Sequence, residues 1–118
     1  MQFDPMIPIW LQVMTAVKTD IASGKRPPGE KLPGGRDLAL QFGINPNTAA
    51  RVYQELEKDG LCETRRGMGT FITDDPAVIL ALRADMAREA MEQYLNKMRL
   101  LGYTKEEAAR QIVKEEQE

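Results

Sequence analysis

The three residues Gly43-Ile44-Asn45 separate two helical stretches so closely that the helices must pack against each other. This break constrains the fold more than any other part of the chain. On its N-terminal side Leu38, Ala39 and Phe42 form one apolar stripe at helical spacing. Gly43 then ends that helix at the position where the chain turns left-handed, a conformation that side chains disfavour. On the other side Asn45 offers a side-chain oxygen to a free amide of the new helix, and Pro46 fills the first helical position, where no donor is needed. The second helix is expected to run until Gly60 ends it. Two helices joined by so short a turn make a helix-turn-helix.

The second helix has two unlike faces. Ala49, Val52, Tyr53 and Leu56 fall where they pack inward, while Asn47, Ala50, Arg51 and Gln54 fall on the opposite side. Asn and Gln pair in bidentate fashion with adenine, Arg pairs with guanine, and Ala leaves room for a thymine methyl. Asn45, Asn47, Thr48 and Arg51 lie at the cap and in the first turns, the part of such a helix that approaches base edges. Any amphipathic helix has a polar face, so this helix alone leaves the bland reading open.

The hairpin after it favours the functional reading. Residues 61–64 and 70–73 have strand-like composition, and Arg65-Arg66-Gly67-Met68-Gly69 between them reads as a glycine-rich turn with two cations. Such a hairpin beside a helix-turn-helix is a wing. Gly67 and Gly69 let backbone amides come close to phosphate, and Arg65 and Arg66 suit a narrow, strongly negative minor groove.

At these residues the chain resembles the winged-helix domain of GntR-family bacterial transcription regulators. The resemblance rests on Leu32-Pro33, Arg36, Leu38-Ala39, Gly43-Ile44, Asn47-Thr48, Arg51, Leu56, Gly60-Leu61 and the wing pattern Arg66-Gly67-x-Gly69-Thr70-Phe71. With the helix from Pro8 to Gly24 and Pro28-Gly29-Glu30-Lys31, it covers about two-thirds of the chain. It implies that Arg36 holds a phosphate and that Thr70 belongs to the wing's DNA-facing pattern. Gly34-Gly35 replace a Ser-Glu-like pair, so the first helix is expected to be poorly capped, and Pro46 and Ala50 stand where many members carry Arg. The run Asn45-Pro46-Asn47-Thr48 is similar to the short, YtrA-like branch, which implies a repressor of a nearby operon, often one encoding a transporter.

Charge tempers this expectation. The chain carries 16 Lys and Arg against 18 Asp and Glu, a net charge of −2, and neither side of Asp75 is basic overall. DNA affinity must come from local placement of Arg36, Arg51, Arg65 and Arg66, and is expected to be modest and to fade quickly with salt. With one cysteine, Cys62, no intrachain disulfide is available, and the absence of histidine argues against a zinc site. Cys62 is expected to be a small, semi-buried side chain of the wing rather than a redox switch. MQFDPMIPIW carries no basic segment followed by an apolar run, and the longest apolar stretch, 77–82, is too short to cross a bilayer. A cytoplasmic protein is expected.

Trp10, Val13, Met14, Val17 and Ile21 recur at helical spacing before Gly24, giving a support helix with Trp10 expected in the core. Residues 25–31 are a Pro/Gly connector, and Lys31-Leu32 is expected to add a short strand to the wing. Asp74-Asp75-Pro76 breaks the strand and starts a long helix from Ala77 to Leu101. Along it Leu80, Ala84, Ala87, Met91, Tyr94, Met98 and Leu101 form a heptad-like stripe, widened by Ile79, Leu82, Met86 and Leu95. Gly102 stops that helix, and Thr104 with Glu107 makes a capping box for a last one. So short a hairpin has more apolar face than it can cover. The stripe is read as a homodimer interface, with folding back onto the winged helix as the competing arrangement.

The fold expected is mainly α with a small β wing: a winged helix-turn-helix over residues 1–75 and a two-helix dimerisation appendage over 76–118. The function expected is sequence-specific binding of double-stranded DNA at a palindromic operator by a homodimeric transcription regulator, most simply a repressor. The competing class is a winged-helix protein-interaction module, favoured if Glu55, Glu57 or Glu63 ties up the cations of Arg51, Arg65 and Arg66. No activated nucleophile, tuned base or phosphate-binding loop supports an enzyme, and no cofactor or metal is implied. The 43 residues after the wing are too few for a conventional small-molecule pocket, so the sequence names no effector.

Overall fold

The computed structural model describes residues 1–117. Its contacts divide the chain into a compact unit, Met1–Arg83, and a second beginning at Ala84. The first unit is built on α1 (Ile9–Ser23), α2 (Gly35–Phe42) and α3 (Pro46–Lys58), with α3 packed against both of the others. The helices contribute to its core the side chains that helical spacing selected, Val13, Val17 and Ile21 from α1, Leu38 from α2, and Ala49, Val52 and Leu56 from α3, all essentially without exposed surface, and Ile72 of the hairpin joins them. A fully buried Val, Leu or Ile contributes roughly 1.5–3 kcal/mol of burial free energy. Six such positions on the helices, with Ala49 between them, fix how the three helices cross.

Local chemistry sets the helix ends. Gly43 adopts φ 66° and ψ 42°, the left-handed conformation, and turns the chain from α2 into α3. Asn45 caps α3 by accepting from the Asn47 amide at 2.8 Å, and Pro46 follows at the first helical position. At the far end the Leu61 amide donates to the Leu56 carbonyl and the Gly60 amide to the Glu57 carbonyl, the paired bonds of a Schellman stop. Gly34 gives α2 no side-chain cap, as expected.

Strands β1 (Cys62–Arg65) and β2 (Gly69–Ile72) pair antiparallel, with Cys62 opposite Ile72 and Arg65 opposite Gly69. The strands extend one residue further toward the tip than composition suggested, because Arg65 finds a pairing partner in Gly69. The connector adds a third line of pairing: Lys31 bridges to Phe71, the Leu32 amide donates to the Thr70 carbonyl at 2.8 Å, and the Ile72 amide donates to the Glu30 carbonyl at 2.9 Å. Tyr53 on α3 donates its hydroxyl to the Pro33 carbonyl, fastening this connector to the helix-turn-helix.

Helix α4 (Pro76–Leu100) begins one residue earlier and ends one earlier than the pattern suggested; Asp75 accepts from the Ala77 amide at 2.9 Å. Within the first unit Leu82 is buried, while Leu80 is 64 % exposed. In the second unit α4 continues to a turn at Gly102 and then α5 (Lys105–Gln117). The capping box forms as expected: the Thr104 amide donates to Glu107 Oε1 at 3.0 Å and the Glu107 amide to Thr104 Oγ1 at 3.1 Å. These bonds, the backbone one foremost, hold the Glu107 carboxyl below its usual range. Tyr94 donates to the Ala108 carbonyl at 2.8 Å, and Ala108 is fully buried. No described helix is long and apolar enough to cross a membrane.

The junction of α3 with the wing is expected to be sensitive to alkali. Cys62 is buried in β1, its Sγ 3.9 Å from the Tyr53 carbonyl, and burial, helped by Glu57, pushes the thiol from 9.0 up to about 11. Burial likewise pushes the Tyr53 phenol from 10.0 up to about 12. Both groups are neutral when protonated and both pKa values are raised on folding. Their contribution is therefore complete below about pH 9 and is lost as the pH rises through 11 and 12. Chemical denaturation at a series of pH values is expected to show stability falling above pH 9, with Cys62→Ala falling less between pH 9 and 11. Parallel curves for the two proteins would contradict this.

Candidate nucleic-acid interface

With Ala49, Val52 and Leu56 buried, the opposite side of α3 is left outward. Asn47, Ala50, Arg51 and Gln54 are exposed and Thr48 is half-buried, so the predicted reading face is open. Asn45 is exposed too, but its side-chain oxygen is spent on the cap, which leaves its amide nitrogen for any outside contact. Arg36 is exposed in the first turn of α2. Among the described residues neither Arg36 nor Arg51 takes part in an ion pair.

Arg51 has a neighbour the sequence did not suggest. Its guanidinium carbon lies over the Trp10 ring, 4.2 Å from the centroid. Trp10 is correspondingly half-buried rather than a core residue, because one of its faces is covered by Arg51. Spacing along α1 placed Trp10 in line with Val13 and Val17, but it could not reveal that α3 brings a cation to it.

The wing differs in detail from the sequence expectation. Arg65 lies in β1 rather than in the turn, and its guanidinium is held by Glu63 Oε1 at 2.8 and 2.9 Å while covering the Phe71 ring at 4.3 Å. Glu63 thus does to Arg65 what the interaction-module reading required. Arg66 is the remaining tip cation: it is exposed, in no ion pair among the described residues, and followed by Gly67 at φ 75°. The turn is closed by the Met68 amide on the Arg65 carbonyl at 2.9 Å. Gly69 adopts φ 118°, which favours glycine, and the end of the Lys31 side chain crosses the wing beside it, its Cε 2.7 Å from where a Cβ would stand. Lys31 was expected to pair with the wing, yet its charge was not counted; it brings a further cation to this edge.

Two links tie the wing to the reading helix. The Thr64 amide donates to Glu57 Oε1 at 3.2 Å, and Cys62 sits against the Tyr53 carbonyl. Thr64 and Thr70 face each other across the hairpin at 3.4 Å. Two other cations near the helical core are committed elsewhere, Lys18 to Asp59 at 3.4 Å and Arg26 to Asp20 at 3.2 Å. A shallow apolar depression lies beside the turn between α2 and α3, lined by Arg36, Leu40, Gly43, Ile44 and Pro46 among others. Among the described residues no group of His, Cys, Asp and Glu is placed to hold a metal ion. The arrangement is a helix with exposed amide and cationic groups beside a cationic hairpin, suited to a polyanion with readable edges.

Comparison with known proteins gives the same direction. The model of the family described as bacterial regulatory proteins, gntR family, matches residues 10–72. The chain is 41 % identical over 106 residues to the HTH-type transcriptional regulator YhcF of Bacillus subtilis, covering 90 % of this chain and 88 % of that one. It is 37 % identical over 97 residues to the HTH-type transcriptional repressor YtrA of the same organism, covering 80 % and 75 %. Among solved structures, a GntR family transcriptional regulator from Listeria monocytogenes superposes with a TM-score of 0.88 at 35 % identity, over 95 % of this chain and 98 % of that one. AraR(DBD) in complex with operator ORX1 matches with a TM-score of 0.58 at 30 % identity, over 62 % and 93 %.

The two wing arginines are expected to behave differently on duplex DNA. Arg66→Ala should weaken binding to all sequences alike and reduce the slope of log affinity against log salt by about 0.9, one phosphate contact. Arg65→Ala should change the slope less, because Glu63 and the Phe71 ring compete with phosphate for that guanidinium. Fluorescence anisotropy over a salt series decides the point, and a larger slope change for Arg65→Ala would contradict it.

Proposed function

Because the chain belongs to the gntR family of bacterial regulatory proteins, and is thus a DNA-binding transcription regulator and not an enzyme, we propose that it is a homodimeric repressor that seats one winged helix on each half of a palindromic operator. The observation that carries this reading is the state of the cations: Arg36 and Arg51 on the helix-turn-helix and Arg66 on the wing are exposed and in no ion pair among the described residues. In a chain of net charge −2, leaving these three uncommitted on one functional element supports phosphate and base-edge contacts. Asn47, Thr48 and Gln54 complete the reading set, and Gly67, Gly69 and Thr70 shape the wing's approach. The Arg65–Glu63 pair is what a protein-docking module would offer, but it involves one cation of the four and is solvent-exposed, where such pairs hold weakly. Repression, and an operon encoding a transporter as its target, follow the likeness to YtrA. The cytoplasm is where such a regulator meets its DNA.

Dimerisation is supported by what α4 leaves uncovered. Leu80, Ala84, Ala87 and Met91 are exposed, as is Leu101 just beyond the helix, whereas Tyr94 and Met98 are half-covered. Residues 76–118 are therefore proposed as the dimerisation part, with the exposed members of the stripe as the contact and Tyr94 and Met98 shared with the interior of the α4–α5 hairpin. Two linked winged helices gain effective concentration on a two-fold site that one alone lacks.

The test begins with duplexes selected by the protein from a randomised pool, which are expected to be palindromic with half-sites about 10 base pairs apart or a multiple of that. Charges at the exposed positions, Leu80→Glu with Met91→Glu, are expected to give monomers in sedimentation that keep their helical spectrum. Those monomers should bind the full palindrome roughly 100-fold more weakly. A dimer that binds undiminished would remove this face as the interface. Arg51→Ala should cost roughly 1–3 kcal/mol on the selected site and relax preference at one position per half-site.

A further inference from the structure

Trp10 stands in the first turn of α1, outside the helix-turn-helix, and its half-covered ring is not part of the core. The structure supplies a reason for a tryptophan there: the face it presents carries the Arg51 guanidinium at 4.2 Å. We propose that Trp10 is a positioning residue for DNA recognition, a platform that holds the Arg51 guanidinium flat so that its in-plane donors stay free and aimed outward for a base edge. The proposal rests on reading Arg51 as a base-contacting residue of α3.

A guanidinium binds through two different surfaces. Its faces stack on aromatic rings, while its N–H groups lie in the plane and form the fork that matches the two acceptors of guanine. A guanidinium carbon 4.2 Å above the ring centroid leaves room for a parallel stack, which would use a face and leave the fork. Among the described residues no ion pair and no side-chain hydrogen bond engages the Arg51 donors, so the stack is the contact that restrains this side chain. A free arginine samples many rotamers, and one already held in the binding geometry loses less freedom when DNA arrives. The platform is itself fixed, since α1 packs on α3 and keeps Val13 and Val17 fully buried. Pro46 and Ala50 add no further cation to this helix, which places more of the discrimination on Arg51 and raises the value of holding it.

The experiment uses the full chain and a fluorescein-labelled duplex that the parent protein has selected from a randomised pool. An exposed cation–π contact corresponds to about a two- to five-fold change in affinity. Trp10→Leu is expected to weaken binding by that factor, Trp10→Tyr to remain close to the parent, and Trp10→Leu to change nothing further once Arg51→Ala is present. Should Trp10→Leu melt below the assay temperature, Trp10→Met, which fills the space without a ring, takes its place. A second readout needs no DNA: Trp10 is the sole tryptophan, so Arg51→Ala should make its fluorescence more accessible to acrylamide. Additive effects of the two substitutions, equal losses for Trp10→Tyr and Trp10→Leu, or unchanged quenching in Arg51→Ala would overturn the role of Trp10 while DNA binding by the parent stands. A parent that selects no duplex would instead sink the DNA-binding reading, and the positioning role with it.

Discussion

The burial of one face of α3 governs the rest of the first unit. Ala49, Val52 and Leu56 have no exposed surface, so the rotation of this helix about its axis is not free. At about 100° per residue the three lie within about 60° of one another, so turning the helix by a third of a revolution would carry all of them out of the core, at several kcal/mol of lost burial. With its inner face fixed by α1 and α2, its outer face is determined, and that face carries Asn47, Ala50, Arg51 and Gln54. The same constraint reaches the wing. Leu61 and Cys62 are buried directly after α3, Glu57 receives the Thr64 amide, and the hairpin is held to the helix that precedes it.

Electrostatics then separates the arginines of the winged helix-turn-helix, and Lys18 with them, into two groups. Lys18 and Arg26 are paired with Asp59 and Asp20, and Arg65 with Glu63. Arg36, Arg51 and Arg66 are left for an outside anion. In a chain with more acidic than basic groups, these three would carry the proposed phosphate contacts, which are expected to be few and salt-sensitive. Arg51 differs from the other two in having an aromatic support, which suits a side chain that must present a fork rather than only a charge.

Much of this was legible in the sequence, for identifiable reasons. Gly43, Gly60, Asn45-Pro46 and the Thr104–Glu107 box act over three or four residues, so the chemistry that ends and starts helices can be read locally. The register of the wing was less legible: Arg65 belongs to β1 because Gly69 is opposite it, and pairing partners are not local information. Trp10 and Arg51 lie 41 positions apart, and only the packing of α1 on α3 makes them neighbours. Lys31 was visible as a strand residue, but its path over Gly69 needed the folded hairpin. Tyr94 read as a stripe residue at heptad spacing, while its hydroxyl is spent on the Ala108 carbonyl, a bond that depends on how α5 returns.

The central claim is that the outward face of α3 and the tip of the wing form one DNA-binding surface. Backbone amide chemical-shift mapping during titration with a selected operator duplex tests it most directly. Perturbations are expected to concentrate at Arg36, at residues 45–54 and at the wing from Thr64 to Thr70, with the buried turns of α1 little affected. Shifts confined to the exposed residues of α4 and α5, or a wing and α3 that do not respond to the duplex, would contradict it.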